Sequence, residues 1–320
     1  MNPAPVHLIP GPARHGVNKL ARQLAEACGA LIVTAPDYAS LPRVAYGPVH
    51  LHVTDHLWGA DPIDAARRIV ALSARQRISV TLHDLPQPSD GEHQPARAAA
   101  YRAIAGSVTQ VVVNSEHERA LLRACGSHAA ASVVPLPIDM LPPVERRPAG
   151  DRQVTLAGFV YPGKGHAEAL DAAATLPEDV GVVALGELSA GCEWLGAALV
   201  TQAGQVGRRF EITGFVDDHA WTARLRSAGL PLAAHTHISA SGSIGSWIAA
   251  GRRPLVADSA YAREVAGRAP SAITLYDDGR LAEALASALA DPGSTWHDGD
   301  LALWGTPQVA ARYREIWEAA

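Results

Sequence analysis

The sequence predicts an α/β protein made of two Rossmann-like, doubly wound domains of similar size facing a cleft. Three observations carry that prediction. Short apolar runs alternate with helix-like segments from one end of the 320 residues to the other, the pattern of parallel sheets covered on both faces. A chain of this length can build two domains, each with its own core. Residues 138–153, containing PPVERRPAGDRQ, concentrate proline, glycine and charge in one place and so mark a linker. The division runs into an N-terminal domain over 1–143, a C-terminal domain over 144–305 and a last segment over 306–320.

The elements follow in order. The first half opens on a strand at 6–9 and a helix at 17–28. Strands at 30–34, 49–53, 78–82, 110–114 and 132–135 are short runs rich in Val, Ile and Leu, as strands buried on both faces are. Helical patterns at 62–75, 95–105 and 116–124 lie between them. The second half repeats the rhythm with strands at 154–159, 181–185, 210–215, 230–234, 255–257 and 273–275. Its helices are expected at 167–175, 220–227, 243–250 and 281–290. Residues 308–319 read as an amphipathic helix with Val309, Tyr313 and Ile316 or Trp317 on one face.

Composition excludes several classes. With 48% hydrophobic and 18% charged residues the chain is an ordinary globular protein. A net charge of −5 argues against nucleic acid as the partner, because phosphate backbones need a basic face. Cys28, Cys125 and Cys192 are odd in number and form no C-x-x-C; they read as reduced thiols and point to the cytoplasm. The start, MNPAPVHLIPGPARHG, lacks the apolar core of a signal peptide, and no run of about 18 apolar residues occurs. Contact with a membrane is therefore expected to be peripheral at most. Nothing in the pattern speaks to oligomeric state. His50, His52 and His56 with Asp55 resemble a metal set, yet no further ligands follow at the required spacing, so no metal is expected.

In open α/β sheets ligands bind beyond the carboxyl ends of strands, which makes the strand-end loops the place to look. After the first strand, Gly11 to Val17 form a Gly-bounded loop entering a helix. It is too loose for a dinucleotide fingerprint, and a plain strand-to-helix turn is the alternative. Next comes VTLHDLPQPSDGEHQ, residues 80–94. There His83 can donate to a sugar hydroxyl or a phosphate oxygen; alternatively Asp84 caps a turn and His83 packs inside. In LAGFVYPGKGHAEAL, residues 156–170, Lys164 and Gly165 open a helix. A lysine there opposes the helix dipole, which an anionic ligand would explain. Lastly, HTHISASGSIGSWIAAGRRPLVAD, residues 235–258, is a Ser/Gly loop running into a helix after an apolar strand. Small residues let a diphosphate approach free backbone N–H groups at the positive end of that helix. An ordinary N-cap and turn is the other reading.

Taken together these stretches resemble a retaining glycosyltransferase of the two-domain GT-B fold, similar to glycosyltransferase family 4. The resemblance rests on His15-Gly16-Val17, VTLHDLP, VVVNSEHERALL (111–122), VVPLPID (133–139), GFVYPGKGHAEALDAA (158–173), ITGFVDD (212–218) and the Ser/Gly loop, in order over nearly the whole chain. It implies a nucleoside diphosphate sugar as co-substrate, no cofactor, and a hydroxyl-bearing acceptor bound mainly by the N-terminal domain. It also implies that the last helix packs back on that domain. Carried over, Lys164 and His83 are the catalytic residues, Lys164 on the diphosphate and His83 at the donor sugar. Gly16, Gly158, Gly165, Ser241, Gly242, Ser243 and, more weakly, Glu264 surround the donor; His15 and Asp84 lie on the acceptor side.

The departures are specific. Ile238 and Ser246 stand where the family has two glutamates, the second of which binds ribose hydroxyls. Gly158-Phe159 replaces the family's Gly-Arg, removing one cationic phosphate contact. Arg252 or Arg253 could supply that charge, or both could be solvated helix-end cations. Two other readings remain: a degenerate protein that binds nucleotide without catalysis, and an epimerase or phosphorylase on the same fold.

Overall fold

The computed structural model describes residues 4–42, 47–144, 151–297 and 301–319. Residues 145–150 of the expected linker lie outside the described residues. The chain divides into two compact units, one of Met1–Pro137 with Trp304–Ala320, the other of Ile138–Leu303.

Unit 1 runs β1 (Val6–Pro10), α1 (Gly16–Cys28), β2 (Ile32–Ala35), β3 (Val49–Val53), α2 (Asp55–Trp58), α3 (Pro62–Ser73), β4 (Ile78–Leu82), α4 (Gln94–Ser107), β5 (Gln110–Val113), α5 (Glu116–Ala124) and β6 (Ala131–Val133). Its six strands are all parallel, in the order β2-β1-β3-β4-β5-β6. Strand β3, VHLHV, shows why such a sheet forms. Side chains alternate between faces, and all five are buried. Val49, Leu51 and Val53 join Val80, Leu82, Ile69 and Tyr101 in one core. His50 and His52 point to the other face, where the register sets His50 beside His7 of β1 and Ser79 of β4.

Unit 2 runs β7 (Gln153–Ala157), α6 (His166–Ala173), β8 (Gly181–Leu185), α7 (Glu193–Gln205), β9 (Phe210–Ile212), α8 (Asp218–Ser227), β10 (Leu230–Ala233), α9 (Gly242–Ala249), β11 (Leu255–Ala257), α10 (Ala260–Arg268), β12 (Thr274–Tyr276) and α11 (Leu281–Ala290). The strand order is β12-β11-β10-β7-β8-β9, again all parallel. Counted from β7, this is the 3-2-1-4-5-6 order of a dinucleotide-binding sheet, with chain order reversing between β7 and β10.

The last helix, α12 (Thr306–Glu318), belongs to unit 1. Its Val309, Ala310, Tyr313 and Ile316 form a buried cluster with Leu24 and Cys28 of α1 and with Val112 and Val134. The sequence reading missed α2, α7 and α10. Helix α2 is a single turn. Helix α7, EWLGAALVTQAGQ, is apolar nearly all round and so carries no helical period. Helix α10 begins at a Ser259 cap, with alanines and charges diluting its short apolar stripe. Among the described residues no helix is long and apolar enough to cross a membrane. Cys28 and Cys125 are buried free thiols and Cys192 is a partly exposed one.

Candidate functional site

The strand-order reversal in unit 2 brings four segments together. Beyond β7 the loop Gly158–Gly165 turns into α6, and beyond β10 the chain passes His235 and the Ser/Gly loop into α9. Gly165 can be nothing larger: its φ is 93°, and a Cβ there would lie 2.1 Å from the Ala234 carbonyl oxygen. That approach pins the loop to the end of β10 and delivers Lys164 to α9. Its Nζ donates to Ser243 Oγ at 2.8 Å and lies 3.0 Å from His235 Nε2. Ser241 is the N-cap of α9, accepting from the Ile244 N–H at 3.4 Å, and its hydroxyl meets that of Ser243 at 3.0 Å. Gly242 is the first residue of the helix. Gly158, at φ 98°, leaves room where a Cβ would come within 3.5 Å of Lys164 Nζ and 3.6 Å of Ser243 Cβ.

Lys164 is 5% exposed, and among the described residues no carboxylate lies within ion-pairing distance of it. Burial without a counter-charge pulls its ammonium down to about 7. Beside it, burial and then the Lys164 charge hold His166 down to about 3 and His235 well below its ordinary range. The arrangement is one titratable lysine and the N–H groups of a helix start aimed at one point, with no carboxylate among the described residues paired to that lysine. An anion is its natural complement. Glu264 sits on α10, its carboxylate paired with Arg268 one turn on.

Arg252 settles one of the open readings. It is neither solvated nor at the anion point but 1% exposed. Its guanidinium donates to the carbonyls of Leu225, Ala228, Gly229 and Thr295 and stacks 4.4 Å from the Trp296 ring. It ties the end of α8 to the turn at Pro292–Thr295. Arg253 donates to the Ile273 carbonyl. Sequence reasoning missed His235, because a lone histidine after a strand carries no pattern.

In unit 1 the polar residues gather beyond β1, β3 and β4. His15 caps α1, its Nδ1 accepting from the Val17 N–H at 3.3 Å, and Gly16 begins that helix. His83 is buried, with Nε2 3.0 Å from His52 Nδ1. Burial brings it down to about 3, the His15 charge working in the same direction and Asp84 against. Burial, His56 and the opposing Asp84 likewise set His15 below its usual range. His15, His83 and Asp84 therefore lie within electrostatic reach of one another. Asp84 is the one non-glycine at positive φ (52°) among the described residues, a strain that persists where surroundings over-determine it. Here Arg97 does so: it donates to the Asp84 carboxylate (2.8 Å) and carbonyl (2.7 Å), to Asp55 (2.9 Å) and to Asp90 (2.8 Å). Tyr101 adds a hydrogen bond to the His83 carbonyl at 2.8 Å. Arg97 carries no spacing signal, and the sequence shows Asp55 and Asp84 only separately, since the cluster forms only when the ends of β3 and β4 meet. Of the metal-like histidines, His50 bonds Ser79 and Thr81 through its two ring nitrogens, and His52 meets His83 through Nδ1. No cluster among the described residues is arranged to hold a metal ion.

No protein-family model and no curated protein sequence matches the chain. Solved structures do. HepE of Anabaena, in complex with UDP and glucose, superposes with a TM-score of 0.78 at 16% identity, over 98% of this chain and 99% of that one. Sucrose-phosphate synthase of Thermosynechococcus elongatus gives 0.76 at 17% identity, over 99% and 100%. WaaG, a glycosyltransferase involved in lipopolysaccharide biosynthesis, gives 0.64 at 13%, over 99% and 96%. The chain has the GT-B fold. At these identities the likeness is one of architecture, and it extends through the whole GT-B chain, α12 included. What a GT-B chain does must still be argued from its own residues.

Proposed function

We infer that this chain is a glycosyltransferase that moves a sugar from a nucleoside diphosphate sugar to a hydroxyl acceptor. The observation that carries the reading is Lys164 Nζ held on Ser243 at the start of α9, at the strand-order reversal of unit 2. Lys164 and the α9 N–H groups bind the donor diphosphate; Gly158 lets it approach the main chain, and Gly165 holds the loop against Ala234 so that Lys164 reaches it. The same groups stabilise the diphosphate as it leaves, the main catalytic contribution expected of such a site. They supply that charge without a metal ion. Transfer proceeds with retention by front-face attack: the acceptor oxygen bonds to the anomeric carbon, the bond to the diphosphate oxygen breaks, and the departing diphosphate takes the hydroxyl proton. Unit 1 takes the acceptor, with His15 and Asp84 as hydrogen-bonding groups and His83 serving the donor sugar. The known binding of UDP by the Anabaena neighbour makes UDP-glucose the first donor to try.

A second reading has its own observation. Ile238 and Ser246 replace two carboxylates, and Ser246 spends its hydroxyl on the Gly242 carbonyl at 3.0 Å, as in a protein that binds nucleotide without turnover. Titration with UDP-, GDP- and ADP-glucose, followed by an assay of sugar release, separates the two. Binding with slow hydrolysis is expected; binding with no release over days would select the second reading. Lys164→Ala should weaken donor binding by about 100-fold, the loss of a charge-assisted contact. Wild-type affinity in that variant would overturn the phosphate assignment.

A further inference from the structure

The pairing of Lys164 with His235 has an uncommon chemistry. An ammonium buried without a carboxylate is costly, and the usual remedy is an acidic partner. Here the partner is a histidine 3.0 Å away, and a serine hydroxyl completes the contact at 2.8 Å. A neutral imidazole is suited to both states of a lysine. Its Nε2 accepts from an ammonium when the proton sits on Nδ1, and donates to a neutral amine when the proton sits on Nε2. Nδ1 of His235 is buried without a hydrogen-bond partner, so no second contact fixes either tautomer. Among the described residues, no carboxylate forms an ion pair with Lys164. His166 on α6 is buried and neutral, Tyr161 lies 5.7 Å from Nζ to its ring, and His237 follows beyond β10.

We propose that Lys164 and His235 form a proton-coupled latch for the donor diphosphate, with His235 as the positioning residue. Above neutral pH the empty site holds Lys164 mainly as a neutral amine accepting from His235, and below it as the ammonium. When the diphosphate meets the amine, one proton from solvent adds to Nζ, the imidazole proton moves from Nε2 to Nδ1, and the resulting ammonium donates to the ligand, Ser243 and His235. No covalent bond changes. The inference rests on the donor reading above and adds to it a stoichiometry: one proton taken up with each donor bound to the amine form. With the amine poised near neutrality, donor affinity is full in mild acid and falls as pH rises.

Isothermal titration with UDP-glucose in two non-phosphate buffers of different ionisation enthalpy tests this. The diphosphate of that donor, esterified at both ends, has no proton of its own to gain in this range. At pH 8 the expected uptake is about 0.9 proton per site, and affinity should fall about tenfold from pH 8 to pH 9. Binding with no uptake and a flat profile from pH 6.5 to 9 overturns the latch and leaves the donor reading standing. No binding of UDP-, GDP- or ADP-glucose at pH 6.5 overturns both. Two variants locate the proton. Lys164→Arg keeps a cation that does not deprotonate and should bind without uptake. His235→Phe keeps a ring but removes both nitrogens, and should move the affinity midpoint to lower pH. An unchanged midpoint removes His235 from the latch, whatever the variant's stability.

Discussion

Arg252 shows how much one side chain can carry when its charge meets dipoles rather than an opposite charge. Its fork satisfies backbone carbonyls at the end of α8 and in the following turn. Burial still pulls it down to about 10, the mark of a cation out of water. Replacing it by alanine leaves several buried carbonyls without donors, each costing about 1–3 kcal/mol. Arg252→Ala should therefore lower the thermal stability of unit 2 by on the order of 3 kcal/mol or more. Arg252→Lys should recover little of it, because three donors on one nitrogen cannot span the same carbonyls. Calorimetry on the three proteins checks this, and full recovery by lysine would refute the geometric argument. Nothing in GRRPLVAD distinguishes such a staple from a pair of exposed helix-end cations, since the carbonyls it serves lie more than 20 positions away in sequence, at Leu225 to Gly229 and at Thr295.

Among the elements, α12 is anchored by Tyr313. Tyr313 is fully buried, packs in the α1 cluster, and exchanges a hydrogen bond with Thr81 Oγ1 at 2.8 Å. Tyr313→Ala should destabilise unit 1 by about 3–5 kcal/mol, and Tyr313→Phe by about 1 kcal/mol. Equal losses in chemical denaturation would mean the ring contributes nothing beyond its hydroxyl. The one-sided stripe of α12 was legible because a surface helix has a buried face and a wet one. The strands were legible for the opposite reason: parallel strands covered on both faces read as unbroken apolar runs. Helix α7 fell between these cases, with neither a polar face nor a β-branched run. The anion site was half legible. A lysine before a helix is anomalous by itself, whereas its meeting with His235, 71 positions on, is a product of strand order alone.

At the scale of the whole molecule the buried histidines set the response to acid. Burial holds His7 down to about 4, His83 and His166 to about 3, and His50, His52 and His235 well below their usual range. The unfolded chain takes up protons on these groups below pH 6.5 while the folded chain does not, so stability is intact above that pH and lost as pH falls. Each group costs about 1.4 kcal/mol per pH unit in that window. Over one pH unit, several such groups together are a large fraction of an ordinary protein's stability, so stability should fall steadily as pH drops below about 6.5. Four of the six lie in unit 1, so amide protection should fail first in β1, β3 and β4. Hydrogen exchange and denaturant midpoints measured from pH 8 to 5 check this; a flat profile would show that these histidines are not held neutral.

The membership of α12 in unit 1 has a consequence for synthesis. Unit 2 is an insertion in the chain of unit 1, so on the ribosome it is complete while unit 1 still lacks the helix that covers His7, His50 and Tyr313's partner Thr81. Nascent chains stalled before Trp304 should present a finished second unit beside a first that still exposes the histidine face of its sheet. A chaperone that recognises unfinished sheets would find its substrate there, late in translation and at the end of the molecule made first.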